Sequence, residues 1–276
     1  MIPFIFYENN DFFLLYKPAR WSCNNTSINT NIKEYPKHNK NIILFIKFIL
    51  KNNFNQRTFR YGLMHRLDIE TSGCVIVVKN NIGYNNFYKI IHKEKKIKKI
   101  YLCLTNYNEN IDNKNFIIKP IDCIRDHQIK YVSSKCFVTL KKNKKNIAAS
   151  YYYKITDLID KNNNKYSLFY VVIFTGKTHQ IRVHMKSIGC PLVSDPQYLD
   201  HKLLLENRKI IDRCFLHNIY YGFNYNNEDL EFIIPLQQDL LNGLNKLKPI
   251  NKKKYDVYKI PKKIIKLNLE YNIFKN

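Results

Sequence analysis

The sequence predicts a mixed α/β or α+β protein, one large domain or two small ones, and three observations carry that expectation. Its 276 residues can bury a core large enough to support a substrate cleft. Short β-branched and aromatic runs alternate with segments whose apolar residues recur at helical spacing. Hydrophobic residues form 45% of the chain and aromatics 14%, which separates it from disordered chains despite its many Asn and Lys residues.

In chain order, Phe4 to Phe6 and Phe13 to Tyr16 are β-prone runs separated by Glu8-Asn9-Asn10-Asp11, which has hairpin chemistry. Lys17-Pro18 ends the second strand, and a polar, Asn-rich loop follows to about residue 40. Residues 41–51 read as a buried helix, followed by a polar link from Lys51 to Arg60. Cys74 to Val78 is apolar on both faces, as a central strand would be. Residues 84–98 read as a helix with Phe87, Ile90 and Ile91 on one face and a Lys-rich C-terminal end, where cations suit the macrodipole. Ile100 to Leu104 is the next strand, Phe116 to Tyr153 a series of short β pieces between Lys/Asn turns, and Leu168 to Phe174 another both-faces-apolar strand. Residues 179–188 read as a helix N-capped by Thr178 and stopped by Gly189, with Pro191 beyond. Its spacing puts His179, Arg182 and Lys186 on a polar face and Ile181, Met185 and Ile188 on a buried one. Residues 1–244 are expected to form the main domain and 245–276 a basic extension.

Charge narrows the function. Lys and Arg number 46 against 22 Asp and Glu, a formal +24, and a polyanion is the natural partner of such a surface. AT-rich codons for Lys and Asn offer a second source for part of that excess. The seven Cys residues are scattered and never spaced as C-x-x-C, so neither a disulfide framework nor a zinc site is expected, and a reducing compartment fits. No metal is expected. The most apolar run, Ile42 to Leu50, is about half of the ~20 residues a membrane span needs. The N-terminus lacks a secretion signal, so the expected location is the cytoplasm, with an organelle as the alternative.

Three segments carry chemistry: His65-Arg66-Leu67-Asp68-Ile69-Glu70-Thr71-Ser72-Gly73, Lys99-Ile100-Tyr101, and Thr175-Gly176-Lys177-Thr178-His179-Gln180-Ile181-Arg182-Val183-His184. Each sits at a strand boundary, where α/β enzymes collect reactive side chains. In order and spacing they resemble the motifs of the RluA family of pseudouridine synthases. The first is similar to the family's H-R-L-D-x-x-T-S-G loop, and the third to T-G-R-x-H-Q-I-R-V-H. Gly189-Cys190-Pro191-Leu192-Val193-Ser194-Asp195-Pro196-Gln197-Tyr198 is similar to G-x-P-L-x-G-D-P-x-Y, and the likeness runs through Leu216-His217 and Leu230 to Pro235.

The resemblance implies an α+β pseudouridine synthase fold, a long, bent, mostly antiparallel mixed sheet flanked by helices and loops around a basic cleft. It implies isomerisation of a uridine in structured RNA, tRNA or rRNA, with no cofactor. That reaction breaks the N1–C1′ bond, turns the base and joins C5 to C1′, so one carboxylate suffices and no second acid is needed to activate water. Asp68 resembles this carboxylate, acting either as nucleophile toward the sugar or as the base that starts glycal formation. Arg182 resembles the cation that pairs with it. Arg66 resembles the arginine that displaces the target nucleotide from its stack, and Tyr101 the ring that stacks on the flipped base and handles the C5 proton. His65, Lys99, Lys177, His179 and Gln180 fall at substrate-side motif positions. His179, Gln180 and His184 either touch RNA or order the loops by hydrogen bonding, and Thr71 and Ser72 hold the catalytic loop.

The sequence departs from the family pattern in places. Position 177 is Lys where relatives usually have Arg, which keeps charge but loses the bidentate fork. Ile69 replaces a residue that is often basic, and Ser194 replaces a usual Gly. The N-terminal S4-type module of many relatives is not expected, because the core hairpin begins at residue 4. A monomer without an obligatory protein partner is expected. Two rival readings are an RNA-binding or RNA-folding protein with weak or no turnover, and a base-excising glycosylase. The first is opposed by intact Asp68, Tyr101 and Arg182, and the second lacks a motif for the water-activating base.

Overall fold

The computed structural model describes residues 1–23, 40–50, 59–94, 96–125, 134–140 and 146–267. Most of the Asn-rich loop before residue 40, most of the polar link after Lys51 and residues 268–276 of the extension lie outside them. The chain divides into two compact units, Met1–Ile97 with Gly222–Gln237 and Lys98–Tyr221 with Gln238–Asn276.

The first unit is built on an antiparallel sheet in the order β1-β2-β3, with β1 at Phe4–Glu8, β2 at Phe12–Lys17 and β3 at Gly73–Val78. The expected hairpin joins β1 to β2: Asn9 Oδ1 accepts the N–H groups of Asp11 (2.9 Å) and Phe12 (3.0 Å). All six residues of β2 and of β3 are buried. β3 is not the central strand its apolar pattern suggests, because β2 is central and β3 is screened on its outer edge by a Leu63–Val77 bridge. Helix α1 (Ile42–Leu50) starts where expected, with Asn41 Oδ1 accepting from Ile43 and Leu44 N–H. Helix α2 (Asn81–Tyr88) begins earlier than the apolar spacing suggests, because Asn80 caps it through Gly83 N–H, and it passes into a π-helical turn over Lys89–Glu94. Phe87 packs against Phe12, Phe223 and Tyr225 with ring centroids 4.8, 5.3 and 5.2 Å away. Such pairs contribute about 0.5–1.5 kcal/mol each beyond area burial.

The second unit contains β4 (Lys98–Asn106), β5 (Lys114–Arg125), β6 (Ser134–Val138), β7 (Ile147–Ile159) and β8 (Lys165–Ile173). Their order is β4-β8-β7-β5-β6, and each of these pairs is antiparallel. The short β pieces expected between 116 and 153 are instead two long strands, β5 and β7, and the shorter β6. Lys114 and Asn115 stand exposed in β5, and Lys119 and Lys154 lie half-buried within β5 and β7, without ending the strands. Helix α3 (Gln180–Ser187) packs across β5, β6 and β7, burying Val183 and Tyr198 with Ile121, Cys136 and Ala148. Gly189 ends it at φ +76, a conformation open to glycine, while the N–H groups of Gly189 and Cys190 return to the carbonyls of Lys186 and Met185. The short helix α4 (His201–Asn207) is capped by Asp200. β9 (Leu216–Tyr225) borders β4 and ends in the first unit, where it pairs with β10 (Glu228–Ile233).

Two expectations need correcting here. Cys123 and Cys136 face each other in the β5–β6 register and form a disulfide, which their separation of 13 residues did not suggest; strand register, not spacing in sequence, brings them together. The other five cysteines are free and buried. The region after residue 244 is also more structured than its lack of periodicity suggests. Helix α5 (Gln238–Leu244) leads to β11 (Lys248–Pro249) on the edge of β7, and α6 (Lys262–Ile265) follows, with Ile264 buried.

Candidate active site

In the first unit the loop from His65 to Gly73 leads into β3 and is fixed by its backbone. Thr71 N–H closes a turn onto the Asp68 carbonyl (3.1 Å), and Arg20 N–H donates to the Ile69 carbonyl (2.6 Å). His65 Nε2 accepts the Ile76 N–H at 3.2 Å, so this side chain ties the loop to β3. Gly73 takes φ +135, where an L side chain would be strained. Thr71 and Ser72 are buried beneath the turn, whereas Asp68 is half-buried and Arg66 exposed. The turn thus presents a half-buried carboxylate at Asp68, with the exposed guanidinium of Arg66 two residues before it.

Lys17 was missed by sequence reasoning. It is fully buried, and its ammonium donates to the carbonyls of Pro18 (3.0 Å) and Ile69 (3.2 Å), the latter one residue beyond Asp68. The nearby Cys23 thiol is also buried. Burial pushes its pKa up, and the charges of Lys17 and Arg66 oppose that while the charge of Asp68 adds to it. The signal available in sequence was Lys17-Pro18 at the end of a wholly apolar strand, where a lysine would have to find buried acceptors.

In the second unit β4 carries Lys99 and Tyr101 on one face, two residues apart, opposite Ile173 and Val171 of β8. Tyr101 is buried to 6% exposure. Lys99 lies over the Tyr221 ring with its ammonium 5.7 Å from the centroid, and burial pushes its pKa down to about 8. Ser150 of β7 shares that face, being paired with the same Ile173.

Helix α3 is anchored on this face through Ser150. Gln180 Nε2 donates to the Ala149 carbonyl and to Ser150 Oγ, both at 2.9 Å, while its Oε1 accepts from Thr175 Oγ1 and Lys177 N–H. His184 Nδ1 lies 3.0 Å from the same Ser150 Oγ and its Nε2 3.2 Å from the Lys119 carbonyl. Through these bonds Gln180 and His184 tie the loop and the helix to β7 and β5. The helix start differs from expectation: His179, not Thr178, is the N-cap residue. It sits at φ +55 in the left-handed region without a side-chain cap, and its Nδ1 meets Tyr198 Oη at 2.9 Å. Lys177 and His179 are both half-buried.

Arg182 does not lie on a solvated polar face. It is 5% exposed, with Nε and Nη2 each 2.7 Å from a carboxylate oxygen of Asp195, Nη2 3.0 Å from Gln197 Oε1, and its guanidinium 4.9 Å from the Tyr198 ring centroid. Asp195 is wholly buried and also accepts the Gln197 N–H. Asp195 and Tyr198 belong to the Gly189–Tyr198 segment but were given no role from sequence. A buried arginine must be neutralised, and that requirement is the signal that could have singled out Asp195.

Among the described residues no group of three or more His, Cys, Asp or Glu side chains could hold a metal ion. No described helix is long and apolar enough to cross a membrane.

Comparison with known proteins agrees with this picture. The sequence model of the RNA pseudouridylate synthase family matches residues 11–187. A Helicobacter pylori protein named uncharacterized RNA pseudouridine synthase is 34% identical over 178 residues, which cover 62% of this chain and 67% of that one. The ribosomal large subunit pseudouridine synthase D of Borreliella burgdorferi is 30% identical over 194 residues, 70% of this chain and 54% of the relative. This chain therefore spans little more than half of that relative's length. Among solved structures, human RNA pseudouridylate synthase domain containing 1 superposes with a TM-score of 0.62 at 19% identity, covering 85% of this chain and 83% of that one. Human RNA pseudouridylate synthase domain containing 4 gives 0.61 at 17%, covering 88% and 93%. The fold is thus the sheet-rich α+β fold of these domains, as the motifs implied.

Proposed function

We propose that this chain, which belongs to the RNA pseudouridylate synthase family, isomerises uridine to pseudouridine in structured RNA with Asp68 as its catalytic carboxylate. The observation that carries the reading is the fixed turn around Asp68, held by Lys17, Arg20, His65 and Thr71 and presenting a half-buried carboxylate. A preorganised carboxylate is what stabilises an electron-poor sugar without reorganisation during reaction.

In this reading Arg66, exposed beside the turn, displaces the target nucleotide from its stack so that the base can reach Asp68. Asp68 then assists cleavage of N1–C1′, as nucleophile at C1′ or as base toward the sugar. After the base turns, C5 joins C1′, and the proton displaced from C5 is balanced by one gained at N1, so the net reaction is an isomerisation that needs no cofactor. Tyr101 supplies the aromatic surface for the base and a route for the C5 proton. Arg182 takes the cation's role by its motif position, and Lys99, whose pKa burial pushes down to about 8, falls at a substrate-side motif position. The activity is assigned to residues 1–244, and the basic residues of 245–276 lie on a segment that belongs to the second unit. The substrate class is tRNA or rRNA, and the name of the Borreliella burgdorferi relative favours large-subunit rRNA as the first RNA to try.

The test is carbodiimide primer-extension mapping of transcripts treated with the purified wild-type chain and with Asp68→Asn. Wild type should introduce pseudouridine at discrete uridines and the variant none, with RNA affinity retained. Pseudouridine formed equally by the variant would overturn the assignment of Asp68.

A further inference from the structure

The sheet of the second unit has a second face, opposite the one that carries Lys99, Tyr101 and Ser150. Strand register places Phe116 of β5 across from Tyr151 of β7, and Lys114 across from Tyr153. The ring centroids of Phe116 and Tyr151 are 5.0 Å apart, and that of Phe174, just beyond β8, is 6.1 Å from Phe116. Lysines bracket this row: Lys98 lies 5.7 Å from the Phe174 centroid and Lys263 lies 4.8 Å from that of Tyr153.

Part of this face is covered by the chain itself. Tyr170 donates to the Val257 carbonyl at 2.9 Å, Ile264 is buried, and the Lys98 ammonium donates to the Leu267 carbonyl. The covering segment brings the exposed Lys263 beside the Tyr153 ring, and Lys114, Lys262 and Lys266 are exposed as well. Phe116 remains 39% exposed, with Tyr151, Tyr153 and Phe174 half-buried. A cross-strand aromatic pair can stabilise a sheet by packing alone. Packing does not account for a ring left open to solvent at the centre of a lysine-bracketed row. That combination, π faces between ammonium groups, matches the requirements of an unpaired nucleic-acid strand, whose bases stack on rings and whose phosphates need cations.

We propose that this face is a second RNA-contacting surface, a stacking platform for an unpaired stretch of RNA in which Phe116 and Tyr151 receive bases and the exposed Lys114 and Lys263 hold phosphates. It takes RNA as partner from the family to which the chain belongs and does not depend on the role of Asp68. Its place on the sheet face opposite Tyr101 lets it grip a flanking segment of the substrate without competing for the target uridine.

The experiment measures binding of a fluorescein-labelled oligouridylate, which has no paired structure, to the full chain by anisotropy. Phe116→Ser with Tyr151→Ser should weaken binding at least about tenfold. Tyr151→Trp, which keeps a stacking surface, should bind as wild type. Lys114→Gln with Lys263→Gln should flatten the salt dependence by about one to two units of slope. A wild-type photocrosslink to a 4-thiouridine oligomer should fall on peptides containing Phe116 or Tyr151, and this holds the proposal to account even if the serine variant fails to fold. Unchanged affinity in a folded serine variant, or crosslinks that avoid both peptides, would overturn it. So would loss of self-association in sedimentation with RNA affinity intact, which would assign the face to a protein contact. Loss of catalysis in Asp68→Asn with this platform intact, or the converse, separates this proposal from the catalytic one.

Discussion

Arg182 and Asp195 form a bidentate ion pair with both N–O distances at 2.7 Å, and neither side chain is more than 5% exposed. Removing one member of such a pair strands the other as a buried charge, at a cost of about 3–5 kcal/mol. Asp195→Leu alone should therefore lower stability by about that amount in urea unfolding. Arg182→Met with Asp195→Leu removes both charges and should recover most of the loss, since apolar replacement of a buried pair is often neutral. If Arg182 serves catalysis, the double variant regains stability and remains inactive. Recovery of activity along with stability would reduce the pair to a structural element.

Lys17 gives a second, independent check on the turn that carries Asp68. Its ammonium bonds the carbonyls of Pro18 and Ile69 from a fully buried position. Lys17→Met keeps the length and the apolar stem but leaves those carbonyls short of a donor. Charge-assisted hydrogen bonds of this kind contribute about 1.5–3 kcal/mol, so a drop of that order in stability is expected. The turn that carries Asp68 loosens with it, and kcat should fall by more than tenfold while KM changes little, as for a group that acts on the reacting geometry. Steady-state kinetics on one mapped RNA checks the split.

How much of this was legible in the sequence depended on distance along the chain. The Asp68 loop is contiguous, and its motif, its Gly73 and its position before β3 were all readable from nine residues. Helix α3 was readable too, but its faces were not. Amphipathic reasoning assigns a charged residue to solvent, whereas Arg182 is turned inward because Asp195, beyond the helix stop at Gly189 and Pro191, supplies a buried anion. The Cys123–Cys136 bond depended on the β5–β6 register, which spacing does not encode. β11 and α6, of two and four residues, are too short to show any period.

His184 should make stability depend on pH. Burial lowers its pKa from 6.5 to about 4, outweighing the hydrogen bond to the Lys119 carbonyl that favours the charged form. The folded state thus holds the ring neutral, while the unfolded chain takes up a proton below about 6.5. Between about pH 6.5 and about 4 the unfolded state binds more protons, so stability falls as pH falls through that window and is unaffected by this group above it. The full effect is about 3 kcal/mol at the acid end. His184→Gln, which can still meet Ser150, should flatten the unfolding free energy over this window relative to wild type in urea titrations at pH 7, 6 and 5. An identical slope in both proteins would show that other groups carry the acid sensitivity.

The disulfide joins β5 to β6, and a short hydrogen-bonded path leads from β6 to the start of α3. Cys136 N–H donates to Tyr198 Oη at 3.2 Å, and the same oxygen lies 2.9 Å from Nδ1 of His179, the left-handed residue that opens the helix bearing Arg182. The bond between Cys123 and Cys136 closes a loop of 13 residues, for which the chain-entropy account gives about 3 kcal/mol. A thiol reductant should therefore lower the melting temperature of wild type. Cys123→Ser with Cys136→Ser should melt at the reduced wild-type temperature and ignore the reductant, because the other five thiols are already free. If the path through Tyr198 matters, the serine pair should also lose turnover in parallel with Tyr198→Phe, which keeps the ring beneath Arg182 and removes only the hydroxyl. Turnover that survives in both variants would confine the disulfide to stability.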